Sequence, residues 1–351
     1  MQNNQPYELN KNNEIAAVIS EQQEQYLDHF NASIDEFNTK LRYIDNLCDD
    51  PKTGSEELSI LTTRAILEMS YVCADCERTL AHNKTAIDDA KKMIREKTNP
   101  LISKSYFMNH ARTWPRGYQG DYLLLEGVYR NIPLSQGLGY YLDRHSLSTT
   151  LSVAVRERLA VLRDLLAIQL RSREELRILN IACGSCREVL DLAQEVKTSR
   201  AKITCVDFDV EALRFSSTRL SHAGIPSDQL EFRRYNAMKM INRDRNMREF
   251  GMQDVIYSAG FFDYLQDHVL VPLLQALYEL LNTGGKLIAP FKDSRRYKTQ
   301  EYHWFIKWDG FYQRTEQDMW MLFEKAGIPF SAIKTKRDRS EVILFFEATK
   351  E

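Results

Sequence analysis

The chain has 351 residues, 43% of them hydrophobic and 27% charged, with a formal net charge of −2 at pH 7. That length allows two domains with a core each, and that composition is the one of a soluble globular protein. A nearly balanced charge predicts no general affinity for nucleic acid or an anionic membrane, and six cysteines are too few for a disulfide scaffold.

The amino-terminal run MQNNQPYELNKNNE has no apolar core and does not read as a signal peptide. The greasiest run, 269–281, is interrupted by Pro272, Gln275 and Glu279 and is too short to cross a bilayer. The expected location is the cytoplasm, with no membrane insertion.

From residue 12 to about 110 the pattern is helical. Phe30, Ile34, Phe37, Leu41, Ile44 and Cys48 recur at alternating steps of four and three, a narrow apolar seam. Asp49, Asp50, Pro51 and Gly54 end that helix. A second is expected to begin near Ser55, read as an N-cap followed by first-turn acids, with Leu58, Leu61, Ala65, Met69, Val72, Cys76 and Leu80 on its apolar face. A third, carrying Ile87, Ala90, Met93 and Ile94, is expected to stop before Pro100. Residues 1–104 therefore read as a helical bundle that packs on the rest of the chain or makes a homodimer.

Residues 105–152 concentrate aromatics, arginines and glycines around Pro115, and Asp121 is placed to cap a helix carrying Tyr122, Leu125 and Tyr129. Such loops bind ligands through large faces with polar tips, or strap two modules together. Tyr118, between Gly117 and Gly120, is the expected lid residue over a cleft.

Residues 153–351 alternate strand and helix. Strand-like runs fall at 177–182, 203–207, 230–234, 254–258, 286–291, 330–334 and 342–347, and only the charged turn TKRDRS separates the last two. This is an α/β pattern: a Rossmann-like, seven-stranded, mostly parallel sheet ending in an antiparallel hairpin with one reversed edge strand, preceded by an all-α domain.

In such a sheet the ligand lies beyond the carboxyl ends of the central strands. Four features line that edge. The first strand runs into the small-residue turn Ala182-Cys183-Gly184-Ser185-Cys186, where backbone N–H groups can cradle a ligand. Asp207 ends the second strand, where a carboxylate can accept both ribose hydroxyls. Asn236 and Ala237 follow the third, where an adenine edge can be read. Ser258, Ala259 and Gly260 open the fourth onto the reaction centre. Cys183/Cys186 and Cys73/Cys76 are CxxC pairs, but they lie more than 100 residues apart, unlike zinc knuckles. They read as buried or turn-filling thiols, with no metal.

The ordered set resembles the class I S-adenosylmethionine-dependent methyltransferases over residues 153–351. The family's acidic-x-Gly-x-Gly-x-Gly turn corresponds to Asn180, Ala182, Gly184 and Cys186, so the acid is an Asn and two glycines are Ala and Cys. The resemblance implies S-adenosylmethionine as cofactor, with Asp207 on the ribose, Phe208 over the adenine, Asn236 facing the adenine amine, and Gly284-Gly285 before strand five. RTWPRGYQGDY (112–122), VRERL (155–159) and YSAGFFDYL (257–265) resemble, more narrowly, bacterial methyltransferases of extracellular-factor 3-hydroxypalmitate methyl ester biosynthesis. That subgroup implies carboxyl O-methylation of a hydroxy fatty acid or a similar small-molecule substrate.

A carboxylate acceptor is nucleophilic at neutral pH, whereas an alcohol or phenol needs a general base. His303, between aromatics on the segment after strand five, is the expected base. Tyr264 is expected to orient the acceptor or to pack beneath Trp304, Arg295 and Arg296 to neutralise an acid, and Trp304, with Tyr118 and Arg295, to line the substrate or lid side. Asp267 is read as a helix cap. Aromatic content without a basic face argues against a nucleic-acid substrate. Two alternatives stand beside this reading: a non-catalytic S-adenosylmethionine-binding regulatory protein, favoured by the departures in the turn, and an O- or N-methyltransferase of an aromatic natural product. A nicotinamide oxidoreductase is disfavoured by the missing glycine triplet and the terminal hairpin.

Overall fold

The computed structural model describes residues 5–172 and 175–351. The first four residues of the stretch read above against a signal peptide lie outside them. Seven helices precede the first strand among the described residues: α1 (Gln5–Leu47), α2 (Ser55–Thr79), α3 (Lys84–Ile102), α4 (Tyr106–Thr113), α5 (Tyr122–Arg130), α6 (Leu138–Ser148) and α7 (Thr150–Ser172). None of the helices among the described residues is long and apolar enough to cross a membrane.

The chain forms two compact units. The helical unit gathers the chain up to Pro115, Pro133–Ser146 and Thr299–Asp309. Its core is the seam read from the sequence: Phe30, Ile34, Phe37, Leu41 and Ile44 are all buried against Leu58, Ala65, Met69, Cys73 and Cys76 of α2 and Ala90 and Ile94 of α3. Two local expectations are corrected. Gly54, not Ser55, occupies the cap of α2 and makes no side-chain bond. The third helix runs on through Pro100 to Ile102, because a proline in the last turn removes a single backbone hydrogen bond, and Leu101 and Ile102 gain burial by continuing.

The sheet unit gathers Arg116–Ile132, Leu147–Lys298 and Gly310–Glu351. Its strands are β1 (Arg177–Ile181), β2 (Lys202–Asp207), β3 (Leu230–Arg234), β4 (Gln253–Tyr257), β5 (Leu281–Lys292), β6 (Ile333–Arg337) and β7 (Ile343–Thr349), in the order β3-β2-β1-β4-β5-β7-β6. The intervening helices are α8 (Arg187–Asp191), α9 (Ala193–Thr198), α10 (Val210–His222), α11 (Arg243–Phe250), α12 (Asp267–Glu279) and α13 (Glu316–Lys325). β1 to β5 run parallel, and β7 runs antiparallel to both β5 and β6.

The terminal hairpin is present, but its reversed strand is not at the edge. β7 inserts between β5 and β6, since its sequence ILFFEAT is buried on nearly every residue while IKTKR of β6 is mostly exposed; the charged strand takes the edge. The sixth strand also begins later than its pattern, because Phe330–Ala332 form a 3₁₀ turn. At the start of β5, Gly284 has φ +75°, and a Cβ on Gly285 would stand 2.8 Å from the Asn282 carbonyl oxygen. Only glycines let the chain rejoin β4 after its register shift there.

Candidate functional site

β1 delivers the chain into the Ala182–Cys186 turn, whose backbone is left-handed at three alternate positions although only one of them is a glycine. Ala182, Gly184 and Cys186 all have positive φ, at +52°, +52° and +48°. Both L-residues hold the left-handed conformation at a strain of about 1–2 kcal/mol each. Ala182 and Cys186 thus take φ values that glycine adopts without strain.

The departure at Asn180 has a local cause. Its Nδ2 donates to Glu188 Oε1 at 2.9 Å, and the Tyr257 hydroxyl donates to the same oxygen at 2.8 Å. Burial pushes the Glu188 carboxyl up to about 7. An acid at 180 would set a second carboxylate against the first; the amide supplies a donor instead.

Asp207, at the end of β2, ties the turn to the next loop. Its Oδ2 accepts from Gly184 N–H and its Oδ1 from Asp209 N–H, both at 2.9 Å. Burial, outweighing these bonds, raises its pKa. Each oxygen keeps a further lone pair, which is what two ribose hydroxyls require. Gly184 carries no side chain, and a Cβ there would meet only Tyr122 Cβ, at 3.8 Å. The donor set fits the nucleoside of S-adenosylmethionine. Phe208 is 65% exposed, a bare ring beside Asp207 with the Arg234 guanidinium 5.6 Å from its centroid. Asn236 is exposed, but its Oδ1 already accepts from Met238 N–H at 3.0 Å, capping the short helix Ala237–Ile241. What it retains for an adenine edge is the amide N–H₂. Ala237 and Ser185 are buried beside these groups.

The strap enters this edge from Arg116 onward. Arg116 makes a two-point ion pair with Asp209, with Nε 3.0 Å from Oδ2 and Nη2 2.5 Å from Oδ1. The Tyr118 hydroxyl donates to the same carboxylate at 3.0 Å. Burial, with Asp207 and Asp209 nearby, holds the Tyr118 phenol protonated. Asp121 caps α5 by accepting from Leu123 and Leu124 N–H, as its sequence position predicts. Glu126 of α5 is buried between Arg187 of α8 and Arg219 of α10, at 2.9 and 2.8 Å. Residues 116–132 are thus pinned to Asp209 and to helices α8 and α10.

Beyond β4, Ser258 is fully buried and Gly260 is half-buried. Asp263 pairs with Lys292 of β5, and both are buried. The Tyr264 ring packs edge-on against Phe311. Asp267 does not cap α12: it is the helix's first residue, and its carboxylate takes Arg314 at 2.7 Å. Arg295 is exposed on the loop after β5.

His303 and Trp304 belong to the helical unit. Trp304 is fully buried in its core, 5.5 Å from the Phe30 ring, and its Nε1 donates to Glu77 at 2.7 Å. His303 is half-buried in the same π-helical turn, Glu301–Phe305, where burial and the Lys91 ammonium lower its pKa. Tyr264 accordingly packs on Phe311 and not beneath Trp304. A segment rich in aromatics reads the same whether it lines a cleft or fills a second core, and here Trp304 and Phe305 fill one.

The thiols hold a further surprise. Cys205 of β2 joins Cys183 and Cys186, and the three buried sulfurs lie within 4.8 Å of one another. Cys73 and Cys76 are elsewhere, buried in the helical unit. Three thiols fall one ligand short of the four in a structural zinc site. Pairing by CxxC spacing could not find Cys205, which only the β1–β2 register brings there.

Residues 178–285 match the family model described as a methyltransferase domain. Among solved structures, the chain is similar to a possible exported protein from Bordetella parapertussis, at 17% identity, TM-score 0.53, covering 92% of this chain and 96% of that one. It is also similar to magnesium protoporphyrin IX methyltransferase from Synechocystis PCC 6803 with bound S-adenosylmethionine (14% identity, TM-score 0.41, 57% of this chain and 84% of that one). A third is an S-adenosylmethionine-dependent methyltransferase from Agrobacterium tumefaciens (16% identity, TM-score 0.40, 55% and 62%). No curated protein matches the sequence. The left-handed turn and Asp207 meet at the carboxyl ends of β1 and β2, inside the region 178–285 that is similar to a methyltransferase domain.

Proposed function

We propose that the acceptor is the carboxylate of a small amphipathic acid, with a hydroxy fatty acid the expected member of that class. The observation that carries this reading is the state of Asp263. It is the carboxylate placed just past β4, and it is bound to the buried Lys292, so it is not available as a general base. His303 belongs to the helical core turn. An acid needs no base, whereas a phenol or alcohol does.

The chain's own residues then have positioning tasks. Asp207 accepts the ribose hydroxyls, Phe208 covers the adenine, and Gly184 lets the backbone approach the methionine portion. Tyr118 and Arg116 close on Asp209 and exclude water from the cleft. When bound, S-adenosylmethionine supplies a methyl group already activated on a sulfonium. Six free thiols support a reducing, cytoplasmic setting. The exposed apolar stripe Ile60, Leu67 and Tyr71 on α2 supports self-association through the helical unit, which light scattering reads.

The test is S-adenosylhomocysteine release with a panel of 3-hydroxy acids, phenols and amines, followed by mass spectrometry of the products. Methyl esters of the acids are expected. Turnover of phenols or amines with none of acids would refute the reading.

A further inference from the structure

We infer that Arg158 is the seat of the acceptor's carboxylate. The inference rests on the acid-methylating reading above and names the group that would recognise the acid. Arg158 projects from α7 and is only 4% exposed, yet its Nε has no hydrogen-bond partner. No carboxylate ion-pairs with it among the described residues; the Tyr129 phenol lies beside it. A guanidinium cannot shed its proton to escape burial, and a buried cation without a counter-charge is expensive to keep. Such a group is retained where a ligand brings the missing anion.

Its place fits that ligand. A Cβ built on Gly260 would lie 2.7 Å from Arg158 Nη1, so the guanidinium rests directly on the backbone at the tip of β4. The other buried cation nearby, Lys292, is already neutralised by Asp263 and sits 4.7 Å from the Phe311 ring centroid and 5.7 Å from that of Tyr264. Two cations and one anion leave a single positive charge uncompensated, beside rings suited to an alkyl chain. One monoanion completes the set. In the transfer, the acceptor oxygen gains the methyl, the electron pair of the broken S–CH₃ bond stays on sulfur, and no proton moves. Arg158 is then left facing a neutral ester, so the same residue that holds the substrate releases the product.

The test is calorimetry on the full chain saturated with S-adenosylhomocysteine, using 3-hydroxypalmitate below its micellar concentration and its methyl ester as probes. The wild type is expected to prefer the acid about 10- to 100-fold, the range for a charge-assisted hydrogen bond. Arg158→Gln should abolish that preference, leave S-adenosylhomocysteine affinity within about twofold, and not lower the melting temperature, because it removes an uncompensated buried charge. Gly260→Ala keeps the charge but crowds the guanidinium, and should weaken the acid more than the ester. Absence of an acid preference in the wild type, or its survival in Arg158→Gln, overturns the seat. So does a parallel loss of S-adenosylhomocysteine affinity, which would give the guanidinium to the cofactor's own carboxylate. Methyl transfer to the acid that is undiminished in Arg158→Gln overturns the seat and leaves the acid reading standing. An acid that binds through Arg158 but is never methylated does the reverse.

Discussion

Glu188 offers a measurable signature of how the cofactor turn is supported from behind. Its carboxyl is buried and raised from 4.5 to about 7, with Asn180 and Tyr257 both donating to Oε1. A folded-state pKa above the unfolded one means that the favourable contribution is complete below about pH 4.5 and is lost as pH rises through about 7. The full difference is worth roughly 3 kcal/mol, of which roughly 2–3 kcal/mol falls between about pH 5 and 8. Glu188→Gln has no charge to bury and keeps an amide oxygen that can accept from both donors. The variant should therefore gain roughly 2–3 kcal/mol relative to wild type on going from about pH 5 to 8. Urea unfolding of both proteins across that range isolates the effect, since other titrating groups cancel in the difference. Parallel pH profiles would refute the reasoning. S-adenosylhomocysteine affinity should stay within about twofold, because Glu188 lies behind the turn and not on its ligand side. Asn180→Asp should destabilise the protein by placing a second carboxylate at hydrogen-bond distance from the first.

Asp207→Asn should weaken S-adenosylhomocysteine binding about 10- to 100-fold, since it replaces charge-assisted bonds to ribose and strands one of the two backbone N–H groups; unchanged affinity by calorimetry would remove Asp207 from the site. Tyr118→Phe deletes the bond to Asp209, worth about 0.5–1.5 kcal/mol, while Arg116 still holds the strap. Turnover should fall with the melting temperature nearly unchanged, and a destabilised but fully active enzyme would end the lid role. Ala182→Gly relieves left-handed strain of about 1–2 kcal/mol and returns about 0.5–1 kcal/mol of chain entropy, so a small net stabilisation is expected. A loss above about 1 kcal/mol in chemical denaturation would show that the Ala182 methyl is needed for packing.

The seven-strand alternation, the helical bundle and Asp207 were legible because each is written in local chemistry: short apolar runs bounded by turns, a repeating 4-3 seam, an acid closing a strand. The turn was legible in its small residues, although only the backbone shows that Ala182 and Cys186 hold the conformation glycine usually supplies. What the tertiary structure decided depends on partners far along the chain. Strand β7 entered the sheet interior because burying two phenylalanines outweighs burying the lysines of β6, a comparison no single window contains. Trp304 and His303 went to the helical unit because aromatic density marks a need for burial without naming the core that meets it. Arg158 meets Gly260, and Cys205 meets Cys183 and Cys186, only through the packing of α7 on the sheet edge and the pairing of β1 with β2. Local pattern sets what each segment must hide or expose; only the packed chain sets which distant group it meets there.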